Sequence, residues 1–298
     1  MFRTRARTVR MALLAATLVA MALGVGAADP ATPQALRATH ERLSPQLARS
    51  PFGRPVLLDS SETPDGLQGD VYAVVDHSIA DISAALKTPA HWCDLLVLHI
   101  NNRRCRLLQE PQGETLTLFV VRRYDHSIND AFELSFAWRL LHSTPEQLSI
   151  ELAATSGPLG TRNYLVRLDA VALDARRTFL HFAYGYEHNL MAKLATQAYL
   201  ATFGADKVGF TVVGKTPDGA PEPIRGLRGL VERNSIRYFL TLDAYLAGLD
   251  APVAQQSEHR QRHWYAAIEK YPRQLHEVDL ATYLALKRAD RERDRTPH

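Results

Sequence analysis

The stretch "CDLLVLHINNRRC" holds both cysteines of this 298-residue sequence, Cys93 and Cys105, with Asp94 and His99 between them. Thiols at this spacing can close a disulfide over a loop of about a dozen residues, worth roughly 3 kcal/mol through the entropy of the unfolded chain. They can also join His99 and Asp94 around a metal ion, but the spacing matches no common zinc pattern and nothing local makes the ligands converge, so the sequence favours the bridge. A second chemical stretch is "LVERNSIRYF", which concentrates Glu232, Arg233, Asn234 and Arg237. Arg233 and Arg237 share a helix face at i and i+4, which reads as a solvated face or as a clamp for a carboxylate or phosphate headgroup. Asn234 falls in the apolar stripe, where an amide without partners costs about 1–3 kcal/mol; it must satisfy a neighbouring backbone group or face a ligand. Among twelve histidines, His77 beside Asp76 and His181 within an alternating run stand out, and strand parity puts His181 on the polar side. There is no G-x-S-x-G elbow, no H-E-x-x-H and no phosphate-cradling glycine loop. Hydrolase, metalloprotease and nucleotide-dependent classes lose their usual signatures, and no cofactor or metal is called for.

The chain opens MFRTRARTVR, with Arg3, Arg5, Arg7 and Arg10 and no acidic residue, and continues MALLAATLVAMALGVGA to small residues at Ala27 and Ala28. A basic head, a short apolar run and a small-residue cleavage point read as a secretory signal over 1–28. The mature chain then starts near Asp29 in an oxidising, periplasmic compartment where cysteines pair. The other reading is a retained anchor, since the run is near the lower length limit for a span; no later segment approaches one. Four of the 35 basic residues lie in the signal and none of the 32 acidic ones do. The mature balance of 31 against 32 lacks the footprint of a nucleic-acid binder. An apolar content of 46% is enough for a substantial core.

The elements that must position these residues follow from periodicity. "TPQALRATHERLSPQLARS" reads as a short polar helix with Pro33 near its start. "RPVLLDSSET" and "GLQGDVYAVVDH" flank Pro64-Asp65-Gly66 as a β-hairpin. Ser78 caps a helix with Ile79, Ile82, Ala85 and Leu86 on one face, Pro89 ends it, and "AHWCDLLVLH" begins a second. From residue 103 to 188 the period is two, in segments separated by short turns, which implies an antiparallel meander. Leu116, Leu134, Phe136, Trp138, Leu148, Ile150 and Leu152, and then Tyr164, Val166, Phe182, Tyr184 and Tyr186, form the covered side. Thr117, Glu133, Ser135, Arg139, Glu151, Arg167 and Asp169 form a side expected to be wet. "NLMAKLATQAYLATF" (189–203) reads as a helix, "KVGFTVV" as a further strand, and "EPIRGLRGLVERNSIRYFLTLDAYLAGL" as a long helix with Leu227, Leu230, Val231, Asn234, Tyr238, Leu242 and Tyr245 at spacings of three and four. Two amphipathic helices broken at Pro272 end the chain.

Hairpin, two helices, antiparallel meander and long late helix, carried by "GDVYAVVDHSIADISAALKTPAHWCD" and "RGLRGLVERNSIRYFLTLDAYL", resemble the START-like, or SRPBCC, superfamily over about residues 53 to 249. The resemblance implies an α+β helix-grip fold: a curved antiparallel sheet wrapped around a long C-terminal helix and an interior cavity, here with extra terminal helices. It divides the chain into the signal at 1–28, a helical arm at 29–50, a START-like ligand-binding domain at 51–250 and a helical tail at 251–298. It also implies an apolar, amphipathic or otherwise lipid-like small-molecule partner. Phe136, Trp138, Tyr164, Tyr184, Tyr186, Asn234 and Tyr238 are then the lining, because tyrosine and tryptophan offer an apolar body with a polar handle. The other reading makes the rings ordinary core. The function expected is binding or carriage of that molecule by an exported protein. The alternatives are an enzyme using Tyr and His as acid and base in the same cavity, or a cell-envelope interaction module built on the tail. Oligomeric state is not encoded at this level.

Overall fold

Pro64-Asp65-Gly66 turns the chain between β1 (Val56–Glu62) and β2 (Gly66–Val75), the first of seven antiparallel pairings in one eight-stranded sheet. The computed structural model describes residues 32–201 and 206–295. The signal expected at 1–28 and the end of the helix expected at 189–203 lie outside the described residues. After β2 the chain leaves the sheet through α2 (Ile79–Leu86) and α3 (Pro89–Leu96). The Ser78 hydroxyl accepts from the Asp81 amide and caps α2, while Pro89 opens α3 at a first-turn position whose N–H would have no intrahelical acceptor. Trp92, fully buried, ties the two together by donating its indole N–H to the Leu86 carbonyl at 2.8 Å. Cys93 and Cys105 are paired in a disulfide with Cα atoms 5.3 Å apart, which fastens α3 to the following strand.

That strand, β3 (Asn102–Glu110), lies at the far edge of the sheet, and hairpins then bring the chain back through β4 (Gly113–Val120), β5 (Phe132–Ser143), β6 (Gln147–Ser156), β7 (Thr161–Ala172) and β8 (Thr178–His188). The order is β1-β2-β8-β7-β6-β5-β4-β3, so β8 closes against β2. Register shifts at Asn102/Arg104, Leu140/His142 and Arg162/Leu165 insert bulges, which bend strands and raise local twist. α4 (Leu190–Ala201) follows β8. The expected strand "KVGFTVV" departs from expectation: only its end joins β9 (Val212–Lys215), which pairs with β10 (Pro221–Pro223) in a separate two-stranded ribbon. Its preceding residues are held by a side chain of the long helix instead. Glu232 of α5 (Gly226–Ala247) is fully buried and accepts from the Phe210 and Thr211 amides (2.6 and 3.0 Å), the Thr211 hydroxyl (2.6 Å) and the Ser60 hydroxyl (2.7 Å).

α5 lies across the inner face of β1, β2 and β8. Gly69 of β2 lets it approach: a Cβ built there would overlap the Ser235 hydroxyl. Arg54 clamps the helix at its other end with two 2.9 Å bonds to Asp243. The arrangement of curved sheet and gripped late helix is the α+β helix grip that the resemblance implies. α6 (Val253–Ile268) and the short α7 (Pro272–Leu275) pack on α5, and α8 (Leu280–Arg295) packs on α6 and β3. Trp264 and Tyr283, with ring centroids 5.1 Å apart and no exposure, belong to the same apolar core as the sheet.

Two expectations about polar faces need correction. Glu151, Arg167 and Asp169 are buried, as is Thr117, whereas Glu133, Ser135 and Arg139 are exposed. α1 (Pro33–Leu47) lays Leu36, Leu43 and Leu47 on Val171 and Phe179 and removes water from that part of the outer face. Arg167 donates to Asp169 at 3.0 Å and lies 4.0 Å from Glu151, so the charges are offset within the sheet. Arg233 and Arg237 are likewise buried, not solvated; Arg237 pairs with Glu277 and donates to the Leu275 carbonyl of α7.

Candidate functional site

Alternation along β5, β7 and β8 turns Phe136, Trp138, Tyr164, Tyr184 and Tyr186 to the inner face, and α5 brings Asn234 and Tyr238 over them. Phe136 meets Tyr164 edge-on at 6.3 Å between centroids, Tyr164 stacks on Tyr186 at 5.0 Å, and Tyr184 lies 6.0 Å from Tyr186 and 5.2 Å from Tyr238. Trp138 stands on the same strand face as Phe136, across from Leu152, and its indole N–H has no hydrogen-bond partner among the described residues. Asn234 resolves its choice through a side chain: it hydrogen-bonds Tyr184, which opposes part of the shift that burial imposes on that phenol.

The rest of α5 shows what this face is for. Between Leu227 and Leu246 every residue is buried except Arg228, Leu230, Asn234, Tyr238 and Asp243. Arg228 donates to Ser60 and Asp243 accepts from Arg54. Leu230, Asn234 and Tyr238 remain, four residues apart and therefore on one stripe, half-buried on an otherwise buried helix, and Tyr186, beside Tyr184, is half-buried too. Tyr238 is deep enough that burial pushes its phenol up to about 12, with the Asn102 hydrogen bond pulling the other way. These three therefore keep accessible surface on a helix whose other positions are packed.

Its electrostatics are uniform. Burial raises Tyr184 well above the ordinary phenol range, helped by the neighbouring tyrosines, and raises Tyr186 and Tyr164 as well. His99 stacks on Tyr238 at 5.0 Å, and burial, with Arg237 and Lys287 adding to it, holds its imidazole well below the ordinary value. At neutral pH the wall is thus uncharged phenol, amide, indole and neutral imidazole. Such groups orient a neutral ligand by hydrogen bonds, and none is poised to exchange a proton near neutrality.

All seven residues expected to line a cavity lie on this face. His99 was legible only as a possible metal ligand between the cysteines; its ring position depends on the turn from α3 into β3, which periodicity does not encode. The metal reading of that stretch is replaced by the disulfide. His181 lies on the outer face, 2.8 Å from Asp70 and stacked on Tyr72 at 4.6 Å, away from the phenols of the interior. His77 contributes its carbonyl, which accepts from Thr178 at 2.8 Å.

No family model matches the chain, and no curated protein matches it. Solved structures similar to it include the Zhui aromatase/cyclase from Streptomyces sp. R1128, at 15% identity over 42% of this chain and 70% of that one, with a TM-score of 0.31. A truncated norcoclaurine synthase from Thalictrum flavum is 14% identical over 49% of this chain and 91% of that one, with a TM-score of 0.33. A START superfamily protein from Mycobacterium smegmatis is 16% identical over 46% of this chain and 92% of that one, with a TM-score of 0.32. Likeness at this level carries no statement about ligand or activity. The fold itself, by the order of its strands and the position of α5, is an α+β helix grip.

Proposed function

We propose that the protein binds or carries a neutral apolar or amphipathic, lipid-like small molecule between the aromatic inner face and α5. The observation that supports it best is the half-buried stripe Leu230, Asn234, Tyr238 on an otherwise buried helix, opposite half-buried Tyr186. A ligand there exchanges water for aromatic surface at about 25 cal/mol per Å² of apolar area. An acceptor on it would satisfy the orphaned Trp138 N–H. A charged ligand would bury its charge without a counter-ion, so the wall favours a neutral one. An enzyme working in the same cavity would need a group that exchanges protons near neutrality, and the phenols and His99 are held away from it.

We place the protein in the periplasm, exported through a cleaved segment ending near Ala28; the basic head, apolar run and paired cysteines support that address. Native mass spectrometry of gently purified protein, before and after organic extraction, tests the binding reading. A removable mass of lipid-like size is expected, and a chain that neither carries nor takes up such molecules contradicts it. Amino-terminal sequencing of protein from the periplasmic fraction tests the address, with a start near Asp29 expected.

A further inference from the structure

A cleft of about 330 Å³ opens between α3, the start of β3, α6 and α8, separate from the aromatic interior. Its charged wall contains four cations, Arg103, Arg260, Lys287 and Arg291, and three carboxylates, Asp94, Asp290 and Asp294. Two of those carboxylates are already committed. Asp290 accepts from Arg103 Nε and Nη2 (2.9 and 2.8 Å) and from Arg293 (2.9 Å), and Asp294 accepts from Arg104 (2.6 Å). Arg103 turns its remaining nitrogen to the Tyr124 and His126 carbonyls, both at 3.1 Å. Arg260, Lys287 and Arg291 are left, with Asp94 beside Arg260 and with Asp290 also acting on Lys287.

These three are held in place by neutral partners; burial pulls the Lys287 ammonium down to about 7, with Asp290 opposing, so the standing positive charge of the cleft is that of Arg260 and Arg291. The Arg260 guanidinium carbon sits 3.8 Å from the Tyr245 ring centroid, one nitrogen donates to Gln256 at 3.0 Å, and its buried Nε has no partner among the described residues. Lys287, 3% exposed, donates to the His99 and Asn102 carbonyls at 2.8 and 2.9 Å. Arg291 reaches Ser257 at 2.6 Å. Gln261, beside them, keeps a buried oxygen without a partner. Burial pushes the Asp94 carboxyl above its ordinary range, with Arg260 and His91 opposing. Like charges in one partly desolvated cleft repel unless an anion joins them, and guanidinium forks match carboxylate and phosphate oxygens. The volume is at the lower end of small-molecule sites, about 300 Å³ upward.

We propose that this cleft is a second ligand site, which takes the oxyanion group of a small phosphate or carboxylate compound between Arg260, Lys287 and Arg291. The site is independent of the aromatic interior and stands whether or not a lipid-like ligand binds there. The test is calorimetric titration of the full chain with inorganic phosphate and, separately, with succinate, at ionic strength matched by sodium chloride. Saturable binding of one molecule per chain is expected for at least one anion, and the tighter of the two identifies the group. Arg291→Gln, a change at a half-buried side chain, should retain the fold and weaken that binding by about tenfold or more, in line with loss of a charge-assisted hydrogen bond. Arg260→Gln should weaken it further, but Arg291→Gln decides, because Arg260 also packs on Tyr245. No saturable heat with either anion, or equal binding by wild type and Arg291→Gln, overturns the proposal.

Discussion

Replacing Gly69 with alanine sets a methyl group of β2 against the gripped helix. That Cβ would overlap the Ser235 hydroxyl and lie 3.1 Å from Ser235 Cβ and 3.6 Å from the Val231 carbonyl. The hydroxyl has nowhere easy to go: Ser235 is fully buried and its Oγ donates to the Val231 carbonyl at 2.9 Å. Overpacking of this kind costs about 1–3 kcal/mol. Ser235→Ala alone should be close to neutral, because it loses only a back-bond within the helix. In the Gly69→Ala/Ser235→Ala double variant the nearest atom is gone and the remaining 3.1 Å contact asks only for a shift of a few tenths of an ångström. At least about 1 kcal/mol should therefore be recovered as coupling between the two sites. Denaturant unfolding of the four proteins in the cycle measures it. Additivity within about 0.5 kcal/mol would refute the close approach of β2 and α5 on which the grip rests.

Three further outcomes are expected. Reduction, or Cys93→Ser, should destabilise the protein by up to about 3 kcal/mol, and adding Cys105→Ser should change little, because both remove one bond; free thiols found by alkylation without reductant would contradict it. Glu232→Ala strands two backbone amides and two hydroxyls, so a loss of about 3 kcal/mol with new protease cleavage between 206 and 225 is expected, and wild-type stability would refute the latch. Tyr238, with a folded value of about 12 against 10.0 when free, favours folding below pH 10. About 3 kcal/mol of that stability is lost as pH rises through about 12, and tyrosinate absorbance should show a late-titrating phenol that Tyr238→Phe removes.

Local signals made most of the frame legible. The Asp-Gly turn, the Ser78 cap, Pro89 and the alternation through β4 to β8 each act within a few residues, and the structure follows them. Contacts made by distant chain were not legible. "KVGFTVV" alternates like a strand, yet Glu232, more than twenty positions later, captures its amides and keeps it out of the sheet. Glu151, Arg167 and Asp169 alternate like water-facing residues, but cross-strand pairing and α1 bury them. Arg233 and Arg237 look solvated, yet both are buried, Arg237 against α7 and Glu277. In the candidate site the rings were readable from strand parity. The partial exposure of Leu230, Asn234 and Tyr238 was not, since only the packed helix shows which apolar-stripe positions keep accessible surface.

Filling the interior tests the binding site most directly. Equilibrium titration of the protein with the neutral apolar fluorophore Nile red should show saturable, blue-shifted binding to wild type. Asn234→Phe and Leu230→Phe, which add bulk to the stripe, should keep the fold by circular dichroism and lose that binding. Equal binding by wild type and both filled variants, or none by wild type, would contradict an interior ligand site.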